Sequence, residues 1–250
     1  MPPGNLSWPH LDKAPVNEAL IDIRVQLPPG VRVDQLNTLH SKISTAYPKK
    51  KERRKWEGKF ELKEEGESAH SVELGIDGFL FSTSDERQIV QYRLDGFTFS
   101  RLRPYETWEN LKAEARRLWD IYKANIKPVA VSRIAVRYIN QLEVTSPVNL
   151  GEYLQKPPEI SFEREFTPQS LFSRVVASNP DKITSVVAQA LEKTEGALIA
   201  KILLDIDVFK QVALMQTDDS SIWEILELLR AIKNDIFFSS VTRKTLEICQ

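Results

Sequence analysis

From Ile21 to Gln26 apolar and polar residues alternate one by one, and this period of two predicts a strand over residues 19–27. Pro28, Pro29 and Gly30 end it. The period then lengthens. Leu36, Leu39, Ile43 and Tyr47 recur at helical spacing, so residues 33–47 read as a helix that Pro48 stops. Residues 56–103 read as an antiparallel meander. Within it Asp77-Gly78 and Asp95-Gly96, each flanked by alternating apolar residues, are expected as hairpin turns. Residues 107–123 carry Trp108, Leu111, Ala115, Leu118 and Tyr122 on one helical face. Thr107 is suited to cap that helix, and Pro128 lies beyond its end.

Residues 130–142 are rich in β-branched side chains and predict a long strand. A short helix is expected over residues 150–155, before Pro157 and Pro158 break the chain. Further strands are expected near residues 172–178, 184–191 and 197–209. A helix from Ile222 to about Asn234 follows, with Ser221 and Glu224 as its capping box.

These elements predict an α+β fold: a mostly antiparallel sheet with two long amphipathic helices. An offset of 115 residues lays the second long helix on the first without a gap, matching Trp108 with Trp223, Glu109 with Glu224, Leu111 with Leu226, Asp120 with Asp235 and Tyr122 with Phe237. The match reads as two related strand-strand-helix halves. The two tryptophans are expected to anchor cores. The chain divides on this reading into an N-terminal half over residues 1–156, with an extended arm over 1–15, and a C-terminal half over 157–250. The two are expected to pack as one compact unit.

Composition narrows the function classes. Of 250 residues 42% are hydrophobic and 28% charged, which fits an ordinary globular protein. The 34 basic and 35 acidic residues leave a formal net charge of -1, so no global field gathers nucleic acid or an anionic membrane. The single cysteine, Cys249, rules out an intrachain disulfide and a cysteine zinc site. The first residues lack the apolar segment of a secretory signal. No run approaches the roughly 20 apolar residues that span a bilayer, and the cytoplasm is the expected location.

Candidate chemistry is sparse. His10, His40 and His70 are about thirty residues apart, without metal-site spacing. There is no Walker loop, His-Glu-x-x-His or Gly-x-Ser-x-Gly motif, and no cofactor is expected. Asp205 and Asp207 point to one face of a strand about 7 Å apart, a spacing for a shared cation or for pairing with basic neighbours. The basic run Lys49, Lys50, Lys51, Arg53, Arg54 and Lys55 reads as a solvated loop or as a phosphate-contacting patch. The arginines make the most informative set. Arg133 and Arg137 share a strand face, and Arg101 and Arg103 share one with Phe97 and Phe99, followed by Tyr105. Forked guanidinium donors among aromatics can bind an anion or tie a sheet together. Arg101, Arg103, Tyr105, Arg133, Arg137 and Asn140 are the candidate ligand-binding residues, with the four arginines expected to converge beside the first long helix.

Five segments resemble a sporadically distributed, uncharacterised family of bacterial proteins of about this length. They are Ala14 to Ala19, Gln91 to Glu109, Arg137 to Asn140, Leu204 to Asp207 and Leu229 to Phe238. The resemblance covers nearly the whole chain and implies no catalytic assignment. A patchy distribution associates with mobile or defence-type genes. The leading expectation is a non-enzymatic module that binds a protein partner, a second copy of itself or an anionic small molecule. One alternative is a metal-dependent hydrolase or nuclease using Asp205 and Asp207. Nucleic-acid binding through residues 49–55 ranks last.

Overall fold

The computed structural model describes residues 8–63, 66–145, 148–158, 170–193, 198–215 and 219–250, with the side chains of residues 56–63, 66–73 and 193 set aside. Residues 1–7 of the expected arm, and the side chains of Trp56 and His70, lie outside the described residues.

A single antiparallel sheet of nine strands organises the chain. In chain order the strands are β1 (Val16–Gln26), β2 (Lys49–Lys63), β3 (Gly66–Ser82), β4 (Gln88–Arg93), β5 (Gly96–Leu102), β6 (Ala130–Thr145), β7 (Ser170–Ser178), β8 (Ile183–Lys193) and β9 (Ile199–Met215). Across the sheet the order is β2-β3-β4-β5-β1-β6-β9-β8-β7. The helices are α1 (Val33–Thr38), α2 (His40–Ile43), α3 (Trp108–Ile126), α4 (Asp219–Ser240) and α5 (Arg243–Ile248). α3 packs on β5 and β1, and α4 on β6 and β9. Alternate residues of the central strands therefore point under these helices. Ile21, Ile23, Phe97, Phe99, Val136, Tyr138, Ile206 and Val208 are buried there with Leu111, Trp119, Tyr122, Leu226 and Leu229. A smaller core joins Leu142, Val144, Tyr153, Leu154, Leu191, Ile202 and Cys249. Among the described residues no helix is long and apolar enough to cross a membrane.

Several elements depart from the sequence pattern for local reasons. The helix expected over 33–47 breaks at Leu39, although Leu36, Leu39, Ile43 and Tyr47 are all buried. The Leu39 amide donates to the Leu36 carbonyl and the Lys42 amide to the Leu39 carbonyl, the tighter three-residue turn that ends regular α-helix. Residues 49–55 are the start of β2, not a loop. β2 is an outer strand of the sheet, where lysines discourage a further strand from adding. Asp77-Gly78 does not turn the chain but lies inside β3. A Cβ on Gly78 would sit 2.4 Å from the Tyr92 carbonyl oxygen, so glycine here permits a close backbone approach. At the other pair the chain does reverse, over Leu94 and Asp95, with Gly96 at φ 151 opening β5. Residues 150–155 form only a 3-10 turn over Leu150–Glu152. α4 starts at Asp219, which puts Ser221 in its first turn rather than at its cap.

β1 and β6 are neighbours with Ile21 opposite Val136. α3 and α4 run antiparallel: Trp108 Nε1 donates to Glu227 at 2.9 Å, Lys112 pairs with Glu227, and Trp119 Nε1 donates to Asp219 at 3.3 Å. Ile21 and Val136, and likewise Lys112 and Glu227, stand 115 residues apart.

Candidate functional site

Helical spacing sets one wall of a cavity. Arg230, Lys233, Asn234 and Phe237 lie on one face of α4 and look past the end of α3. On β6, Tyr138 and Asn140 point to the helix side of the sheet, two residues apart. The turn from β5 into α3 adds Tyr105, Trp108 and the exposed Glu106 and Glu109, and the stretch from Trp8 to Val16 closes the remaining side. The space is about 240 Å³. That is below the roughly 300–1,000 Å³ of sites for drug-sized ligands, so any occupant is small.

Each polar group has a defined setting. The Tyr105 and Tyr138 hydroxyls are 3.0 Å apart, with their rings edge to face. Burial pushes both phenols up in pKa, so both remain protonated donors at neutral pH. Asn140 donates to the Leu204 carbonyl at 3.0 Å. Arg230 stacks over the Trp108 ring and lies 3.8 Å from Glu227. Lys233 is the least ordinary group. Its Nζ sits 3.8 Å over the Tyr138 ring, and among the described residues no hydrogen bond or ion pair holds it. Burial, and then the Arg230 charge, lower its ammonium to about 7. A largely buried ammonium without a counter-ion favours either losing its proton or gaining an anion.

The residues singled out from the sequence do not form one cluster. Tyr105 and Asn140 line the cavity. Arg101 is spent on an ion pair with Glu106. Arg103 is exposed, and its backbone amide donates to Asn17. Arg133 and Arg137 point to the opposite face of the sheet, which α3 and α4 leave open. Helices cover the Tyr138 face of β6, and odd-numbered residues alternate away from it.

That open face is a charge lattice rather than a basic patch. Asp22 is buried and accepts from Arg93 at 2.8 Å, Thr98 at 2.7 Å, Arg24 at 3.0 Å and Arg133 at 3.0 Å. Burial alone would raise its pKa. The Arg93 and Arg24 charges, with the bonds from Arg93 and Thr98, overcome that and hold it below the ordinary carboxylate value. Arg133 also reaches Asp207 at 3.2 Å and stacks over the Phe209 ring. Arg137 grips Asp205 with two N–H groups, one at 2.8 Å. Asp205 and Asp207 therefore face guanidinium groups, and a cation between them would have to displace arginine. Burial raises Asp207 in pKa against the pull of Arg133. Among the described residues no group of three or more histidine, cysteine or acidic side chains is placed to share a metal ion.

The basic run is likewise partly paired along the outer strand. Lys49 bonds Glu86 at 2.8 Å, Lys50 reaches Asn37 and lies over Phe79, Arg53 pairs with Asp77 and Arg54 with Glu52, while Lys51 and Lys55 are exposed.

Arg230 and Lys233 are the functional candidates that the sequence reading passed over. Their signal was present: Lys233 occupies the apolar stripe of α4, between Leu229 and Phe237, where a charged residue is out of pattern. The segments Ala14 to Ala19, Gln91 to Glu109, Arg137 to Asn140, Leu204 to Asp207 and Leu229 to Phe238 meet here. Four line the cavity, and Leu204 of the fifth accepts the hydrogen bond of Asn140. No family model matches the chain, and no curated protein matches it.

Proposed function

We propose that this chain is a binding module for a small organic anion with an apolar body, held in the cavity between the end of β6, the start of α3 and α4. The observation that carries the reading is a comparison of the chain with itself. We infer that the halves are related by the 115-residue offset, with the division falling between α3 and β6 rather than at Pro157 and Pro158. Under that offset Tyr138, Asn140, Arg230, Lys233 and Asn234 correspond to Ile23, Val25, Ala115, Leu118 and Trp119, all buried and all apolar. In one half the position is packed shut. In the other it is an open space where Arg230 and Lys233 bring two cations, Tyr105 and Tyr138 two phenols and Asn140 and Asn234 two amides, with the exposed Glu106 and Glu109 also in its lining. A scaffold that works with leucine and alanine does not need Lys233 and Arg230, and burying them costs stability. A ligand whose negative charge meets these cations accounts for their presence, with Trp8, Trp108 and Phe237 contacting its apolar part.

The resemblance to the sporadically distributed bacterial family agrees with this reading, because its segments converge on the same cavity. Thermal shift with phenylacetate, benzoate and inorganic phosphate is the direct test. An aromatic carboxylate should raise the melting temperature of the wild type. Arg230→Gln should weaken its binding by about 1.5–3 kcal/mol, the usual worth of a hydrogen bond to a charged group. Equal binding by Arg230→Gln would remove the cavity from consideration.

A protein partner is favoured by a different feature. β7 is the other outer strand of the sheet, and Phe172, Val175 and Val176 on it are exposed. A long apolar edge strand is a template for pairing with another chain. Sedimentation of the wild type against Val175→Lys would register loss of a dimer formed through this edge; identical behaviour would dismiss it.

A further inference from the structure

We propose that Lys233 captures its ligand covalently, as an imine with the carbonyl carbon of a small carboxylate that also carries an aldehyde or ketone. The inference rests on the anion-binding reading of the same cavity and adds the class of ligand. A lysine serving only as a positive charge needs no concealment. Here the amine lies over the Tyr138 ring, has no hydrogen bond or ion pair among the described residues, and lines a cavity whose two acids, Glu106 and Glu109, are exposed. Burial and the Arg230 charge keep a large share of it neutral near pH 7, and the neutral amine is the form that attacks a carbonyl. Arg230, three residues earlier on the same face of α4, supplies the permanent cation for the carboxylate. The Tyr105 and Tyr138 hydroxyls, hydrogen-bonded to each other, line the same space and stay protonated.

The step balances without a redox partner. The Nζ lone pair adds to the carbonyl carbon, and the carbonyl π pair moves to oxygen, which takes a proton from Tyr105. A proton from nitrogen restores the phenol. The hydroxyl then leaves as water with a second proton from the Tyr105 phenol, the nitrogen lone pair completes the C=N bond, and the last proton on nitrogen returns to the phenolate. Amine and carbonyl compound become imine and water, and hydrolysis reverses the capture.

The full-length protein is incubated with phenylpyruvate, or with phenylacetate as the carbonyl-free control, then treated with sodium borohydride and mapped by peptide mass spectrometry. Phenylpyruvate should leave one dominant reduced adduct, at Lys233, with none from phenylacetate and none at this position in Lys233→Arg. Binding of phenylpyruvate by calorimetry without an adduct at Lys233 would overturn the imine while leaving the anion site standing. So would an adduct spread over surface lysines at equal levels in wild type and Lys233→Arg. Failure of both compounds to bind would overturn the imine and the anion site together.

Discussion

Lys233 concentrates the energetic tension of the molecule in one side chain. In the unfolded chain it titrates near its ordinary value of 10.5, and in the folded protein burial and Arg230 bring it to about 7. Between these two values the unfolded state binds more protons than the folded state. Stability therefore rises with pH across that window, and the full penalty is present below about pH 7. Lys233→Met removes the titrating group and keeps the apolar stem. It should be more stable than wild type at pH 6 by about 1–4 kcal/mol, the range seen when buried charges give way to apolar residues. Urea denaturation at pH 6 and pH 10 checks this: the difference between the two proteins should shrink as pH rises. A constant difference would mean that Lys233 is not charged at a cost in the folded state. Asp22 is the opposite case, a buried charge that is fully compensated. Asp22→Ala leaves the buried Arg93 with the half-exposed Asp95 as its remaining counter-ion and should cost about 3 kcal/mol. Its carboxylate is held below the ordinary value of 3.8, so its contribution fades as pH falls through that region.

At the scale of elements, the pairing of α3 with α4 shows why two similar helices behave differently. Trp108 finds a carboxylate in Glu227, whereas the residue 115 positions before Glu227 is Lys112, which has no acceptor to offer Trp223. Trp223 Nε1 is accordingly buried without a partner among the described residues. The same asymmetry runs down the helices. Trp119 on α3 stacks on Tyr122 and meets the edge of Phe97, filling the core. Asn234, at the corresponding place on α4, lines the cavity. Trp119→Ala should thus cost about 3–5 kcal/mol. Asn234→Ala should change stability by less than about 1 kcal/mol, as expected where a side chain lines open space. Equilibrium denaturation of the two variants measures the contrast, and comparable losses would show that the Asn234 position is part of the scaffold.

On the scale of the whole molecule, the sequence was most legible where local periodicity and packing agree. β1, β6 and α3 are predicted within a few residues because one face of each is buried continuously. The basic start of β2 was illegible as a strand, since a solvent-facing edge carries no apolar alternation. Asp77-Gly78 misled because glycine serves a close backbone approach as readily as a turn. Arg101, Arg103, Arg133 and Arg137 were assigned to one site because a strand's parity is visible in sequence, but which face meets the helices is decided by tertiary packing. The site itself was half legible. Of the residues lining the candidate cavity, Tyr105 and Asn140 stood out in the sequence, whereas Arg230 and Lys233 did not, although Lys233 interrupts an apolar stripe.

On the proposed reading an anion completes the cavity around Lys233. An anion beside this amine must raise its proton affinity, so binding near pH 7.5 must draw a proton from the buffer. Titrating phenylacetate into the protein in buffers of different ionisation enthalpy measures that uptake directly. A fractional proton should be taken up per ligand bound, and that uptake should be lost in Lys233→Met. Binding with no buffer dependence, or with the same affinity and proton uptake in the variant, would contradict that reading.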